Sequence, residues 1–387
     1  MRPTDLDHNQ QAGIYIHIPY CRSKCDYCSF NSLAVHGHDL NAYLAALTRQ
    51  AERMANYHWT REQSFSTLFI GGGTPTILGG KPLAGLIKKI LELFNFCPEP
   101  EITVETNPNT IAADTLPRLK EAGVNRLSIG IQSFSDQILK EISRTHTGAE
   151  GQQAVELARQ AGFDNINLDL IYGLPAQDLC AMESSLATAM DLAPQHLSIY
   201  ELMLEEGTPL ADRAKQNRLQ LPSEDEIADM ELMIAEKTSV HGFARYEISN
   251  FAKNNMRCTH NINYWKNGPY LGLGAGAIAG IAGMRIANIS DPTIYIKAVN
   301  AGEEPFSWAE YLTPAARFRE TVIMGLRMME GISITGLQKR FDIDLFNYYG
   351  DILDILRKKD LIIIEDDNLR LTTNGLPLAN QVLRELV

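Results

Sequence analysis

An α/β fold is what this sequence predicts: a parallel sheet wound into a partial (β/α)6 barrel, followed by a smaller, winged-helix-like α+β module. Three observations carry that expectation. Short runs rich in β-branched residues alternate with helical stretches six times before residue 201, and strands separated by helices of that length pair in parallel through right-handed crossovers. Six such units without a topological break suggest a barrel left incomplete. The last block, from about residue 313, holds instead three helical runs and a hairpin.

The elements follow in order. Strands are expected at 14–18, 67–70, 101–104, 126–129, 165–170 and 196–200, and helices between them at 40–57, 82–94, 111–122, 149–161 and 182–192. Gly123 and Gly162 stand just past helical runs, where a residue of positive φ ends a helix. Residues 224–241 read as a long amphipathic helix, and a Gly-rich, aromatic segment follows, "YEISNFAKNNMRCTHNINYWKNGPYLGLGAGAIAG". Helical runs at 315–329, 334–341 and 345–358 then lead into "LIIIEDDNLRLT", two strands around an Asp-Asn turn. The expected organisation is therefore a barrel over 1–240, a connecting segment over 241–312 and a terminal module over 313–387.

Composition narrows the function. The 387 residues are 45% hydrophobic and 21% charged, ordinary for a globular chain, with a formal charge of -12. Phosphate binding relies on Lys and Arg, so nucleic acid is a poor partner. Residues 315–387 hold ten Lys or Arg against eleven Asp or Glu, and the winged-helix-like block lacks the basic face of a DNA reader. The first eleven residues are polar, and no apolar run reaches the roughly 20 residues that span a bilayer. A cytoplasmic protein is expected, in contact with membranes only peripherally if at all.

Six cysteines in such a chain are not a disulfide framework. Cys97, Cys180 and Cys258 are scattered and read as small buried hydrophobes. Cys21, Cys25 and Cys28 differ, because they fall in one loop directly after the first strand, where a barrel places its reactive loops. A structural zinc site takes four ligands, and iron-sulfur clusters are commonly held by four thiolates. The loop supplies three. A four-iron cluster on three thiolates keeps one iron open to a small molecule; a zinc site completed by a distant His or Cys, or a fortuitous spacing, are the alternatives.

The loop resembles the CxxxCxxC signature of the radical S-adenosylmethionine (SAM) superfamily, and further motifs follow in order. "GGGTP" at 71–75 is similar to the segment that binds the methionyl amino group there, which points to Gly72, Gly73 and Thr74; glycine lets a ligand approach the backbone, although three glycines also make an ordinary turn. Closer similarity, over nearly the whole chain, lies with the group of oxygen-independent coproporphyrinogen III oxidases (dehydrogenases) and HemW-type heme chaperones. That resemblance implies a TIM-like radical SAM barrel and a HemN-type terminal domain. It also implies that Tyr15 and Tyr27 line SAM, that Arg144 pairs with its carboxylate in a bidentate fork, that Glu105 faces its ammonium, and that Gln132 and Asp169 take ribose hydroxyls. A capping or surface role is the alternative for each.

Local features separate the branches. The dehydrogenases carry a further cysteine two residues after the third and an N-terminal extension; here Phe30 occupies that position and twenty residues precede Cys21. The heme chaperones carry an HNxxYW motif, matched by His260, Asn261, Tyr264 and Trp265. His260 is then the candidate axial ligand for heme, with Tyr264 and Trp265 beside the macrocycle; a hydrogen-bonded histidine closing the barrel is the alternative. Relatives usually place a His in the Gly-rich stretch where this chain has Ile278, and His17 reads as a structural part of the first strand.

The resemblance implies a [4Fe-4S] cluster, SAM and heme as cargo. SAM chelates the open iron and is cleaved reductively to methionine and a 5'-deoxyadenosyl radical. Implied partners are a heme-acceptor protein, an electron donor such as flavodoxin or ferredoxin, and a second copy of the chain. Catalytic residues stay unassigned. Coproporphyrinogen III dehydrogenation is the alternative activity, and radical methylation or cyclopropanation a third.

Overall fold

In a computed structural model of the chain, residues 11–387 are described; the polar opening stretch lies outside them except for Gln11. Six parallel strands form the centre: β1 (Ala12–Ile18), β2 (Phe65–Gly72), β3 (Phe96–Thr106), β4 (Arg126–Gln132), β5 (Ile166–Tyr172) and β6 (His196–Glu201), each paired with the next. Helices α1 (Leu40–Ala55), α2 (Gly80–Leu93), α3 (Thr115–Glu121), α4 (Gly148–Gln160) and α5 (Leu179–Asp191) return the chain between them. β1 shows why the faces divide as they do. Its Ile14, Ile16 and Ile18 are fully buried in the shared apolar core, and the period-two alternation turns Tyr15 and His17 to the other face.

One helix is shorter than its pattern suggested. Starting at 111 would put Pro117 in a helix interior, where it removes a backbone hydrogen bond; starting at Thr115 puts it in the tolerant first turn. A 3-10 turn, Pro108–Thr110, precedes the helix, and residues 111–114 form an irregular turn.

Segment 241–312 forms the sheet's two flanks rather than a link between domains. After helix α6 (Glu224–Val240), β7 (Ala244–Glu247) and β8 (Asn250–Ala252) add antiparallel strands beside β6. Helix α7 (Thr259–Trp265) then crosses the barrel, and β9 (Tyr270–Leu273) pairs in parallel with β1. A meander of β10 (Ile278–Ile281), β11 (Met284–Asn288) and β12 (Phe306–Tyr311) completes a twelve-stranded sheet with two open ends, β12 and β7. Phe251, Leu271 and Leu273 join the same core as the barrel, so no change of core marks residue 240.

The terminal module has its own core, built on Phe318, Val322, Leu353 and Leu369. Helix α8 (Pro314–Gly325) leads into four further helices and a three-stranded sheet of β13 (Ile332–Ser333), β14 (Ile362–Glu365) and β15 (Asn368–Leu371). The hairpin turn is Asp366-Asp367, both of positive φ, and Asn368 already opens β15. Backbone hydrogen bonds Ile248 N to Arg327 O and Met329 N to Tyr246 O, both 3.0 Å, fasten the module to the barrel edge. Among the described residues no helix is long and apolar enough to cross a membrane. All six cysteines are free; Cys258 is buried as expected, whereas Cys97 is half-buried and Cys180 exposed.

Glu101, at the base of β3, fixes α7. Its carboxylate accepts the backbone N–H groups of Thr259 at 2.9 Å and His260 at 3.0 Å, otherwise unpaired at a helix N-terminus. Glu101→Ala is expected to lower stability by about 1–2 kcal/mol; an unchanged denaturant midpoint would show that α7 is held by packing alone.

Candidate functional site

The cysteine loop is positioned by backbone contacts with the glycine run. Beyond β1, Gly73 N donates to Ile18 O and Thr74 N to Tyr20 O, each at 2.8 Å. A Cβ on Gly73 would lie 2.6 Å from Tyr20 O, so only glycine permits this approach. Further along the loop, Asp26 N donates to Ile142 O, and Leu210 N donates to Asp26 O at 2.9 Å. Arg213 pairs with both Asp26, at 3.4 Å, and Glu141, at 2.8 Å.

The three thiols line one cavity of about 360 Å³ at the C-terminal ends of the strands. Thr74 Oγ1 donates to Cys21 Sγ at 3.4 Å, Arg144 Nη1 to Cys25 Sγ at 3.6 Å, and Ser32 Oγ lies 3.8 Å from Cys28 Sγ. Burial pushes the Cys21 thiol up, while the Thr74 hydroxyl pulls it back. Hydrogen-bond donors aimed at sulfur suit thiolates, so this donor set fits a group held through three thiolates.

Of the other expected residues, Tyr27, Gly72, Gly73, Thr74, Gln132 and Arg144 line the same cavity. Gln132 holds a left-handed backbone, φ 68, at the end of β4. Glu105 and Asp169 line it as well and also border a second space beneath. Gly72 N donates to Glu105 at 3.0 Å. Burial, and then the nearby Asp169, push the Glu105 carboxyl up to about 7. Burial also raises Asp169, against the Asn167 amide that donates to it at 2.7 Å.

Two expectations change. Tyr15 borders the lower space rather than the cavity, with its hydroxyl hydrogen-bonded to His17 Nδ1 at 2.8 Å. His17 is otherwise bonded to Asn31 O at 2.8 Å, a structural role as expected. Arg144 does not present a free fork: its Nη2 donates to Asn107 Oδ1 at 2.7 Å and to Gly130 O, which leaves Nη1 toward Cys25.

The HNxxYW motif lies elsewhere. His260 is 1% exposed, with Nδ1 2.7 Å from Thr67 Oγ1 and Nε2 3.1 Å from the Tyr264 hydroxyl. Its ring stacks on Phe69 at 5.1 Å, and burial with the Arg126 charge lowers its pKa to about 3. Both nitrogens of this neutral ring are engaged, so the structure corrects the axial-ligand expectation for His260. Trp265 lies under the Arg327 guanidinium, 4.4 Å away, and Tyr264 packs edge-on against Tyr270. The motif closes the barrel floor and keys it to the terminal module. Ile278, where a His was the expected residue, is 40% exposed at the start of β10.

Sequence reasoning missed Asn107, which follows β3 in "ETNP" and orients Arg144, and the rim residues Phe30, Tyr200, Glu201 and Met203. Their positions just beyond β3, the cysteine loop and β6 were the available signal.

Comparisons with known proteins agree with this geometry. Residues 15–189 match the radical SAM superfamily and residues 312–378 the HemN C-terminal domain. The heme chaperone HemW of Bacillus subtilis is 37% identical over 373 residues, 95% of this chain and 97% of that protein. HemW of Lactococcus lactis is 33% identical, with 96% of each chain covered. The solved coproporphyrinogen III oxidase (HemN) of Escherichia coli superposes with a TM-score of 0.84, covering 97% of this chain and 90% of its own; at 24% identity this likeness shows the fold.

A carboxyl whose pKa rises on folding gives stability that is complete below its unfolded value, 4.5 for Glu105, and is lost as pH climbs through about 7. Cluster-free protein is therefore expected to lose up to ~3 kcal/mol between those limits. Glu105→Gln removes most of that slope and leaves the part due to Asp169. Chemical denaturation across pH measures it, and an equal slope in the variant contradicts the assignment.

Proposed function

The chain belongs to the HemW family within the radical S-adenosylmethionine superfamily, and on that premise we propose that it is a heme chaperone that binds heme and hands it to an acceptor protein. The observation that carries the reading is the single cavity onto which three thiols and the ends of several strands converge, in a chain related along nearly its whole length to curated heme chaperones. Cys21, Cys25 and Cys28 would hold a [4Fe-4S] cluster. When bound, that cluster offers SAM an open iron and an electron. Gly72, Gly73 and Thr74 offer backbone groups to its methionyl end, Glu105 the counter-charge for its ammonium, and Gln132 and Asp169 acceptors for its ribose. Arg144 holds Asn107 and the β4 end in place while its Nη1 faces the thiols.

Heme binding is assigned to the cavity rim rather than to the floor. Phe30 and Met203 line the cavity and are 68% and 60% exposed, which suits a flat apolar ring system. Phe30 stands where a porphyrinogen-oxidising relative carries a further cysteine, which favours the chaperone over the dehydrogenase reading. Three thiols in need of reduction favour the cytoplasm, and cluster reduction calls for an electron-donor protein.

Anaerobically reconstituted protein is expected to bind heme at a defined stoichiometry, seen by absorbance, and to lose it to an apo-heme protein. Paired Phe30→Ser and Met203→Ser substitutions are expected to weaken binding about tenfold or more. His260→Gln is expected to keep the stoichiometry, and His260→Ala to lose about 2–5 kcal/mol of stability. Loss of heme in a well-folded His260→Gln protein returns the cargo to the floor motif; no heme binding by the wild type ends the chaperone reading.

A further inference from the structure

Beneath the ligand cavity lies a polar chamber of about 300 Å³. Its floor is α7 and its roof is formed by Glu105, Asp169 and Tyr200, which border both spaces. Arg126, the first residue of β4, lines this chamber and is 2% exposed. Its Nε has no hydrogen-bond partner, and among the described residues no carboxylate lies within ion-pairing distance of its guanidinium.

A guanidinium cannot shed its proton to escape burial, so its charge must be met by something. Glu101 beneath it adds negative charge through space, but its carboxylate oxygens accept from α7 and make no ion pair with the guanidinium. The chamber has room for roughly ten waters at about 30 Å³ each, and the other charged side chains on its wall are Glu105 and Asp169. The inner faces of β4 and β5 build a ladder between them. Ser128, two residues above Arg126, donates to Asp169 at 3.2 Å, and Asn167, opposite Ser128, donates at 2.7 Å.

We propose that Arg126 is a positioning residue for the ligand cavity: through the hydrated chamber it supplies the counter-charge that lets Glu105 and Asp169 face the cavity as carboxylates. Without it, two half-buried acids face each other and each favours protonation of its neighbour. The groups facing Glu105 are consistent with this role. Tyr15 from β1, Tyr200 from β6 and Tyr264 from α7 are phenols held neutral by burial. His260 is neutral, Gly72 N donates to the carboxylate, and Asp169 from β5 adds negative charge. On the chamber wall, Arg126 alone among the described residues carries a positive charge. Toward Asp169 from the cavity side stand Tyr27 and, beyond it, Arg144, whose guanidinium is occupied by Asn107, Gly130 and Cys25. The proposal rests on the SAM reading only for its consequence, since the ammonium of SAM needs Glu105 ionised.

The test uses the full chain without cluster. Infrared titration of buried carboxyls, assigned with Glu105→Gln, gives the Glu105 midpoint for wild type, Arg126→Lys, Arg126→Met and Arg126→Gln. The neutral variants are expected to raise it by about one unit, a tenfold loss of carboxylate on its acid limb, and Arg126→Lys to stay near wild type. If Arg126→Met does not fold, Arg126→Gln carries the comparison, and a Lys variant that moves the midpoint as far as a neutral one overturns the proposal. An unchanged midpoint in a folded neutral variant also overturns it. So does a wild-type midpoint that follows the buffer anion when chloride is exchanged for nitrate, because Arg126 would then be partnered by an adventitious ion. In reconstituted protein, SAM affinity at neutral pH is expected to fall about fivefold in the neutral variants and to return at higher pH. Wild-type protein that titrates as expected yet ignores SAM removes the SAM reading and leaves the role of Arg126 standing.

Discussion

Two backbone hydrogen bonds, from Gly73 to Ile18 and from Thr74 to Tyr20, hold the cysteine loop and the glycine run as one piece. Everything at the barrel mouth takes its place from them. They fix the start of the loop, so that the Thr74 hydroxyl reaches Cys21. They also place Gly72, whose N–H fixes Glu105 from the neighbouring strand. A Cβ at Gly73 would meet main chain rather than a movable side chain, so the loop and not the residue would have to yield. The far end of the loop is anchored separately, by Asp26 to Ile142, Leu210 and Arg213. With both ends tied, three thiols face one cavity although the segment between them is almost devoid of regular structure.

How much of this was legible follows from which interactions are local. β-Branched runs and intervening helices report the six parallel strands because each pattern arises within a few residues. The cysteine spacing and the glycine run were equally plain. Two things were not. The flanking segments 244–252 and 270–311 read as a connector because the two strands that join them to the barrel, β8 with β6 and β9 with β1, find those partners far away in sequence, and a strand's partner leaves no mark on its own residues. The apolar pattern points to a helix from 111, but Pro117, tolerated only in a first turn, sets the start at Thr115. Arg144 lines the cavity, but its partners cannot be read from its own stretch of sequence, since Asn107 follows β3 and Gly130 lies within β4.

The electrostatics of the barrel interior follow a similar logic of distance. A parallel barrel ordinarily fills its centre with branched apolar side chains. Here the inward positions of β4 and β5 are Arg126, Ser128, Asn167 and Asp169. Burying such groups is costly, and the cost is limited only where each polar atom finds a partner or water. Asp169 has its partners in Ser128 and Asn167, and His196 has Asn167 and Tyr246. Arg126 stands out because, among the described residues, no hydrogen-bond partner reaches its Nε, and that gap in the ladder coincides with a chamber large enough to hold water. Stability alone would be served by an apolar residue at this position. A charge kept here therefore makes sense in terms of what lies above it, at the two carboxyls that look into the ligand cavity.

His260 makes the complementary point at the floor. To coordinate an iron the ring would have to surrender its bonds to Thr67 and Tyr264, about 1 kcal/mol each in net terms, and leave its stack on Phe69. The larger obstacle is access. A macrocycle reaching Nε2 would have to displace α7, which is capped by Glu101 and bound through Trp265 and Arg327 to the terminal module. Displacing the floor would also cost the Trp265–Arg327 contact, beside the backbone bonds from Ile248 and Met329 that fasten the module to the barrel edge. The rim requires no such rearrangement, because Phe30 and Met203 already stand exposed beside the thiols. The sequence motif is thus explained as a joint between barrel and module, and the proposed heme site lies at the end of the barrel that carries the three thiols.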